Sequence, residues 1–594
     1  MSYKRPAVLF ATFEAVPFIK TGGLGDVGGT LPAALKRGGC DCRVVLPKLD
    51  TIPEEYKSQM THVTDFYMYL GWRNLYCGVE TLRYQGVTYY FLDNEYYFKR
   101  GNAYGYFDDG ERIAFFSKAV CEFIKYIDFE PEILHCNDWH TALCPVFLRE
   151  FYMQIDKYKN IKTVFTVHNL KFQGKFDKFV LGDILGLDNN YAARTQMLEG
   201  DAVNFMRGAL NYSDRLTTVS PTYAEEICTD AYGEGLNDVY NRRKSILSGI
   251  LNGIDPKAYD PMNDPYIYAP FNKDDLSGKT ENKLALQREL GLEEGADIPL
   301  IGIVSRLTSQ KGLDLVNYIM NDLMKMRLEI VILGVGDAQY EESFRYFQSR
   351  YPDKVSANIC FSTPLSHKIY AASDFILVPS LFEPCGLSQM IAMRYGTLPI
   401  VRETGGLKDT VIPYNQYTGE GTGFTFRNFN AHELLYAIER AVGLYYDYKE
   451  PFALMVQNAF AQDFSWKISA RKYKALYREL IPEPEEPEKT EEEKTQKKKS
   501  SRKKKKSSKK KSSAKSKKSS VKKQTAQTSE VQSAPENETS AQEKAENVSE
   551  AVSQESKAEE EKMEEVKAEA ENSPEAANLN AAQESSEGTE AAEE

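Results

Sequence analysis

Short apolar runs recur along the first 480 residues, each closed by glycine or polar residues and followed by a helical pattern. The runs at 7–12, 43–46, 88–92, 133–136, 163–167 and 215–219 read as strands. The segments 31–36, 112–126 and 142–151 carry apolar residues at helical spacing between them. A turn-rich stretch, 250–256, interrupts the series. The alternation then resumes with strands predicted at 300–304, 329–333, 358–361, 375–378 and 398–401, and an amphipathic helix at 466–480. Strands alternating with helices predict α/β domains built on parallel sheets. The expected division is 1–253, 254–460, a closing helical segment 461–481 that packs back toward the first domain, and a separate region 482–594.

Composition changes sharply at that last boundary. Residues 482–594 contain no Phe, Tyr, Trp or Cys, so they cannot bury enough apolar surface to offset the entropy of ordering, and a disordered tail is expected. Its charge is segregated. Residues 494–523 hold 17 Lys or Arg and no acid, whereas 530–594 hold 20 Glu and 4 Lys. The tail supplies −5 of the net −12, so the remaining −7 gives the folded part no nucleic-acid character. The lysine block suits an anionic polymer or the acidic segment behind it, and its partner is not specified by composition. Nine cysteines without CxxC spacing fit reduced thiols and a cytoplasmic location. No run approaches the roughly 18 apolar residues of a membrane span.

In an open parallel sheet, ligands bind at the carboxyl ends of the strands, and six polar loops fall there. Lys20-Thr21-Gly22-Gly23-Leu24-Gly25-Asp26-Val27-Gly28-Gly29 contains a Gly-x-Gly-x-x-Gly pattern. It starts too far from the preceding strand, and lacks the later acid, for a dinucleotide fingerprint. A loop of bare N–H groups plus an ammonium approaching a diphosphate is one reading. A tight turn packing helix on sheet is the other. His135-Cys136-Asn137-Asp138-Trp139-His140 has the residue types of a metal site but no standard zinc spacing. Asp138 suits hydroxyl groups or transition-state charge, or a helix cap. His168 and Asn169 follow another strand. Arg306 and Lys311, beside Gly312, offer a guanidinium fork and a point charge to a diphosphate. Glu383, in Phe382-Glu383-Pro384-Cys385-Gly386-Leu387, offers a carboxylate to two hydroxyls. Thr404-Gly405-Gly406 opens a further helix. Phosphates and hydroxyls together suggest a sugar nucleotide. No Walker motif and no Gly-x-Ser-x-Gly elbow occurs.

These motifs, in this order over residues 5–481, resemble those of the bacterial glycogen synthase and plant starch synthase family. The resemblance implies a GT-B fold, two Rossmann-like domains with a cleft between them. It implies retaining transfer of glucose from ADP-glucose to the non-reducing 4-OH of an α-1,4-glucan, with no metal and no cofactor beyond the donor. Carried over by position, Lys20 and Gly23 approach the donor, and Asp138 and His168 line the sugar and acceptor side. Arg306 and Lys311 neutralise the leaving ADP, and Glu383 holds sugar hydroxyls. Cys385, Gly386, Leu387, Thr404, Gly405 and Gly406 continue the glucose and phosphate pocket, and His140, Asn169 and Asn252 complete the substrate-binding set. One departure stands out. The wider superfamily commonly places a second Glu eight positions after the first, where this chain has Ile391. That favours the glucan synthase branch over a UDP-sugar hexosyltransferase. A non-catalytic glucan-binding protein is the alternative of a different class.

Overall fold

The computed structural model describes residues 5–481, and the expected tail lies outside them. Eighteen strands form three sheets. The first nine-stranded sheet contains β1 (Ala7–Ala11), β2 (Asp41–Pro47), β3 (Thr61–Leu70), β4 (Arg73–Tyr84), β5 (Val87–Asp93), β6 (Ile133–Asn137) and β7 (Lys162–Val167). A small sheet of β8 (Lys175–Asp177), β9 (Leu198–Glu199) and β10 (Ala202–Asn204) sits beside it in sequence. Strands β11 (Arg215–Thr218) and β12 (Leu247–Gly249) complete the large sheet, in the order β12-β11-β7-β6-β1-β2-β5-β4-β3. All its pairings are parallel except β5–β4 and β4–β3.

The second large sheet is parallel throughout. It orders β13 (Leu300–Val304), β14 (Glu329–Leu333), β15 (Val355–Asn358), β16 (Phe375–Val378), β17 (Leu398–Arg402) and β18 (Phe424–Phe426) as β15-β14-β13-β16-β17-β18. The strands are apolar on both faces because helices cover both, as parallel sheets require. Each of the two large sheets has its own buried core, and the small sheet packs into the first. The helix Trp466–Leu480 joins the first core through Trp466, Ala470, Tyr473, Leu476 and Tyr477, so the last described helix packs back onto the first domain. A buried polar link fastens it: His135 Nδ1 meets the Tyr477 hydroxyl at 2.7 Å, and His135 Nε2 meets Thr166 Oγ1 at 2.6 Å.

Three local differences from the sequence reading have physical causes. The helix expected at 31–36 runs from Gly23 to Arg37 and takes in the glycine run. A Cβ on Gly28 would lie 2.2 Å from the Glu14 carbonyl oxygen, and one on Gly29 would lie 2.4 Å from that of Val16. Close packing against the segment after β1 therefore outweighs glycine's poor helix propensity. The strand expected at 358–361 lies at Val355–Asn358. The β3–β4 hairpin was not visible at all. Its tyrosines face outward between inward Phe66, Met68 and Leu70, and erase the apolar–polar alternation.

Candidate active site

The loop after β13 carries Arg306 and turns through Ser309–Lys311 to Gly312, which has φ +69°. A Cβ on Gly312 would lie 2.1 Å from the Pro379 carbonyl oxygen. That close approach brings this loop onto the one following β16. Lys311 Nζ consequently lies 2.6 Å from Glu383 Oε2, and the Ser380 hydroxyl donates to the same oxygen at 3.0 Å. Arg306, Lys311, Glu383, Gly386 and Leu387 all border one cavity of about 160 Å³. Arg306 is exposed, while Glu383 is nearly buried. The neighbouring Cys385 thiol is buried, which pushes its pKa up to about 12, and the Asn252 backbone hydrogen-bonds its sulfur. Asn252 itself is buried in the segment between the two sheets, with its side-chain oxygen unpaired. Ile391 sits in the second apolar core.

Thr404 and Gly405 are held by a side chain of the first half. The Glu226 carboxylate accepts from Thr404 Oγ1 at 3.0 Å and from the Gly405 N–H at 3.1 Å. Glu226 belongs to the helix Pro221–Glu226 of the first half, so this helix end is capped from across the cleft. Thr222 of the same helix donates through its N–H and hydroxyl to Asp409 at 2.9 and 2.7 Å. The two glycines serve close packing: a Cβ on Gly405 would lie 2.1 Å from the Glu383 carbonyl oxygen, and one on Gly406 2.2 Å from that of Cys385. They press this turn onto the loop that carries Glu383.

The opposing wall is built at the ends of β6 and β7. Asp138 has φ +56°, a backbone region an aspartate tolerates only with local support. Its carboxylate accepts the N–H groups of His168 at 2.7 Å and Asn169 at 3.4 Å, tying the two strand-end loops together. Burial raises the Asp138 pKa to about 7, against the opposing pull of those N–H groups. The His168 ring is held by Asn137 Oδ1 at 3.0 Å from Nε2, and burial lowers its pKa to about 3, so the imidazole is neutral. His140 lies deeper. It stacks on Phe13 and Tyr104, with ring centroids 5.4 and 4.5 Å away, and its Nδ1 has no protein partner. Its ring thus packs between Phe13 and the Tyr104 that bonds to Glu14.

That loop has an organiser the sequence reading missed. The Glu14 carboxylate accepts from the N–H groups of Thr21 (2.7 Å) and Gly22 (3.2 Å) and from the hydroxyls of Thr21 (2.5 Å) and Tyr104 (2.6 Å). A lone carboxylate inside the apolar run after β1 was the available signal. Gly22 and Gly23 then open the helix toward empty space, with nothing near a would-be Cβ on either. Lys20 Nζ is held by Asp26 at 2.8 Å in the first turn of that helix. The two walls meet around a cavity of about 310 Å³, bordered by Lys171, Tyr232 and Glu234 from the first half and Leu381 and Phe382 from the second. A second cavity of about 360 Å³ shares Lys171 and Glu234 and extends past Trp139 and Phe172. Among the described residues no cluster of three or more His, Cys, Asp or Glu side chains is arranged to hold a metal, and no helix is long and apolar enough to cross a membrane.

Two α/β halves whose strand-end loops face one another, with cations and a carboxylate on one wall, define a GT-B glycosyltransferase. Residues 7–242 match the starch synthase catalytic domain family, and residues 291–459 match glycosyl transferases group 1. The glycogen synthase of Clostridium novyi (strain NT) is 51% identical over 475 residues, covering 80% of this chain and 99% of that one. The glycogen synthase of Geobacillus stearothermophilus is 51% identical over 480 residues, covering 80% and 98%. The catalytic domain of starch synthase IV from Arabidopsis thaliana, solved bound to ADP and acarbose, superposes with a TM-score of 0.75 at 35% identity, covering 81% of this chain and 100% of that one. The chain belongs to the glycogen synthase family.

Proposed function

We propose that this protein extends an α-1,4-glucan by retaining transfer of glucose from ADP-glucose, adding each unit at a non-reducing 4-OH. The observation that carries the reading is the Lys311–Glu383 pair beside Arg306 in one cavity. It sets two cations where a diphosphate would leave and a carboxylate where sugar hydroxyls would sit.

Departure of ADP from C1 builds negative charge on the diphosphate and oxocarbenium-like charge on the sugar. Arg306 and Lys311 stabilise the first, and prepositioned charges are most effective when they need not reorganise. Glu383 is fixed by Lys311 and Ser380 before substrate arrives, which reduces the ordering cost of gripping hydroxyls. The helix start at Gly23 faces open space on the opposite wall, where the positive end of its first turn would meet the donor. Asp138 and the neutral His168 present acceptors toward the sugar and the incoming glucan end. No carboxylate is assigned as a nucleophile; the acceptor proton passes to the leaving phosphate oxygen on the same face as attack, so configuration is kept. The groove past Trp139 and Phe172 leads the acceptor chain to that point. Exclusion of water between the walls limits hydrolysis of the donor.

The working compartment in this reading is the cytoplasm, where nine unpaired thiols persist. A competition assay with ADP-, UDP- and GDP-glucose on a maltooligosaccharide acceptor tests the proposal. ADP-glucose is expected to be the preferred donor and the product linkage α. Preference for UDP-glucose would move the chain to a different donor class, and absence of transfer from all three would overturn the reading.

A further inference from the structure

Glu383 stands on a loop whose backbone is supported from two sides. Arg402, buried behind it, donates through Nε to the Ser380 carbonyl at 2.8 Å and through Nη2 to that of Leu381. From the other side the Gly406 N–H is shared between the carbonyls of Glu383 and Pro384, at 3.1 and 3.2 Å. Lys311 and Ser380 fix the Glu383 carboxylate, but the turn 404–406 sets where its backbone stands. The absence of a Cβ at Gly405 and Gly406 lets that turn approach so closely.

The turn itself is held from the other half of the molecule. Thr404 stands at the N-cap of the helix Gly405–Thr410, yet its side chain accepts no N–H of that helix. Its hydroxyl donates to Glu226 instead, and the Gly405 N–H lies 3.1 and 3.2 Å from the two Glu226 oxygens. A carboxylate 179 positions back in the chain thus supplies the cap. The arrangement is reciprocal. Asp409, near the far end of the same helix, accepts from the N–H and hydroxyl of Thr222, in the first turn of Pro221–Glu226. Two short helices, one from each half, lie head to tail, and each offers an acid to the other's first turn. Hydrogen bonds to ionised carboxylates are the stronger kind, so this junction is firm. Glu226 lies outside the lining of the three cavities above, so its effect on chemistry runs through the groups it holds.

Resting on the glucose-transfer reading above, we propose that Glu226 is a positioning residue for that reaction: by capping Thr404 and Gly405 from across the cleft, it places the backbone of Glu383. The carboxylate that grips the sugar is then in register only while the first half is docked through this junction. Arg306 and Lys311 stand on the loop after β13, apart from this turn, so the hold on the diphosphate stays with them. Misplacing a group at the reacting sugar by about 1 Å can cost on the order of 100-fold in rate. The loss on removing Glu226 should therefore appear in kcat rather than in nucleotide affinity.

The test uses full-length Glu226→Ala, Glu226→Gln and Thr222→Val, assayed with ADP-glucose and maltotetraose, with ADP as inhibitor, and by thermal melts. Glu226→Ala should lower kcat by about tenfold or more while the inhibition constant of ADP stays within about twofold. Glu226→Gln keeps an oxygen for the same donors and should hold kcat within about threefold of the parent. Thr222→Val leaves the Glu226 cap in place and should also stay within about threefold. A double-mutant cycle separates positioning from general damage. Added to Glu383→Ala, Glu226→Ala should cost less than about threefold further, because the group it positions is gone. Should Glu226→Ala fail to fold, Glu226→Asp, which withdraws the carboxylate by one methylene, is read in the same cycle. An equal loss of ADP affinity overturns the proposal, as does a full additive loss in the Glu383→Ala background; either makes the junction a support for the whole cleft. A parent that transfers glucose from no nucleotide sugar sinks the function on which this rests. A parent that transfers, with parent-level kcat in Glu226→Ala, sinks the positioning role alone.

Discussion

Lys311 and Glu383 lie 72 residues apart in the chain, yet Lys311 Nζ is 2.6 Å from Glu383 Oε2. The contact joins the loops after two adjacent parallel strands, and Gly312 allows it by leaving room for the Pro379 carbonyl. It gives one wall of the cleft a charge arrangement that exists before any ligand binds.

Lys311→Ala and Arg306→Ala should each lower kcat/KM by about 2–4 kcal/mol of transition-state stabilisation, but they should differ in stability. Lys311 neutralises a nearly buried carboxylate, so its loss leaves Glu383 unpaired and lowers the melting temperature. Arg306 is exposed, and its loss should leave melting unchanged. Steady-state kinetics and thermal melts on the same preparations check both parts. Wild-type transfer rates in either variant would remove these residues from the mechanism.

Buried histidines and Asp138 contribute to the pH dependence of stability with opposite sign. His135 and His140 have pKa values lowered from 6.5 to about 3 by burial. The unfolded chain binds their protons first, so their contribution is complete above pH 6.5 and is lost as pH falls toward 3. Asp138 is shifted the other way, from 3.8 to about 7. Its neutral form suits the folded state, so its contribution is present below pH 4 and is lost as pH rises to 7. Denaturant titrations between pH 4 and 7 should therefore show a flatter rise for His135→Gln and a steeper rise for Asp138→Asn than for the parent.

Glycines of similar appearance should answer differently to alanine. Gly406→Ala puts a Cβ against the Cys385 backbone and should cost about 1–3 kcal/mol through overpacking, while displacing Glu383 and lowering activity. Gly23→Ala meets nothing and should raise stability by about 0.5–1 kcal/mol, since alanine is the better helix former. Its activity should still fall, because the methyl group occupies space proposed for the donor. Equal activity in Gly23→Ala and the parent would place the donor elsewhere.

A chain ending at Glu485 keeps the whole compact unit that contains both walls. It should transfer glucose to maltotetraose at the parent's kcat. A collapse of that rate would make residues 486–594 part of the catalytic machinery.

Much of the fold was legible because buried parallel strands announce themselves as short apolar runs. The ends of β1, β6, β7, β13, β16 and β17 could be placed within a residue or two, and with them most of the polar loops. The β3–β4 hairpin was illegible because its outward positions are tyrosines, which read as apolar. The glycine-rich run was legible as a motif but not as a helix, since only the backbone of Glu14 and Val16 shows why glycine is needed there.

The sequence alone determined where most strands of the two large sheets fall along the chain and the chemistry available at their ends: two cations after β13, carboxylates after β6 and β16, glycines after β1 and β17. These follow from local pattern, which depends on residue type and spacing. Tertiary structure decided which groups meet. It joined Lys311 to Glu383, gave Thr404 and Gly405 to Glu226, buried His140 among rings, and made Glu14 the anchor of the glycine loop. Such pairings bring together residues up to about 180 positions apart. They are set by the packing of whole layers, so no local stretch of chain contains them.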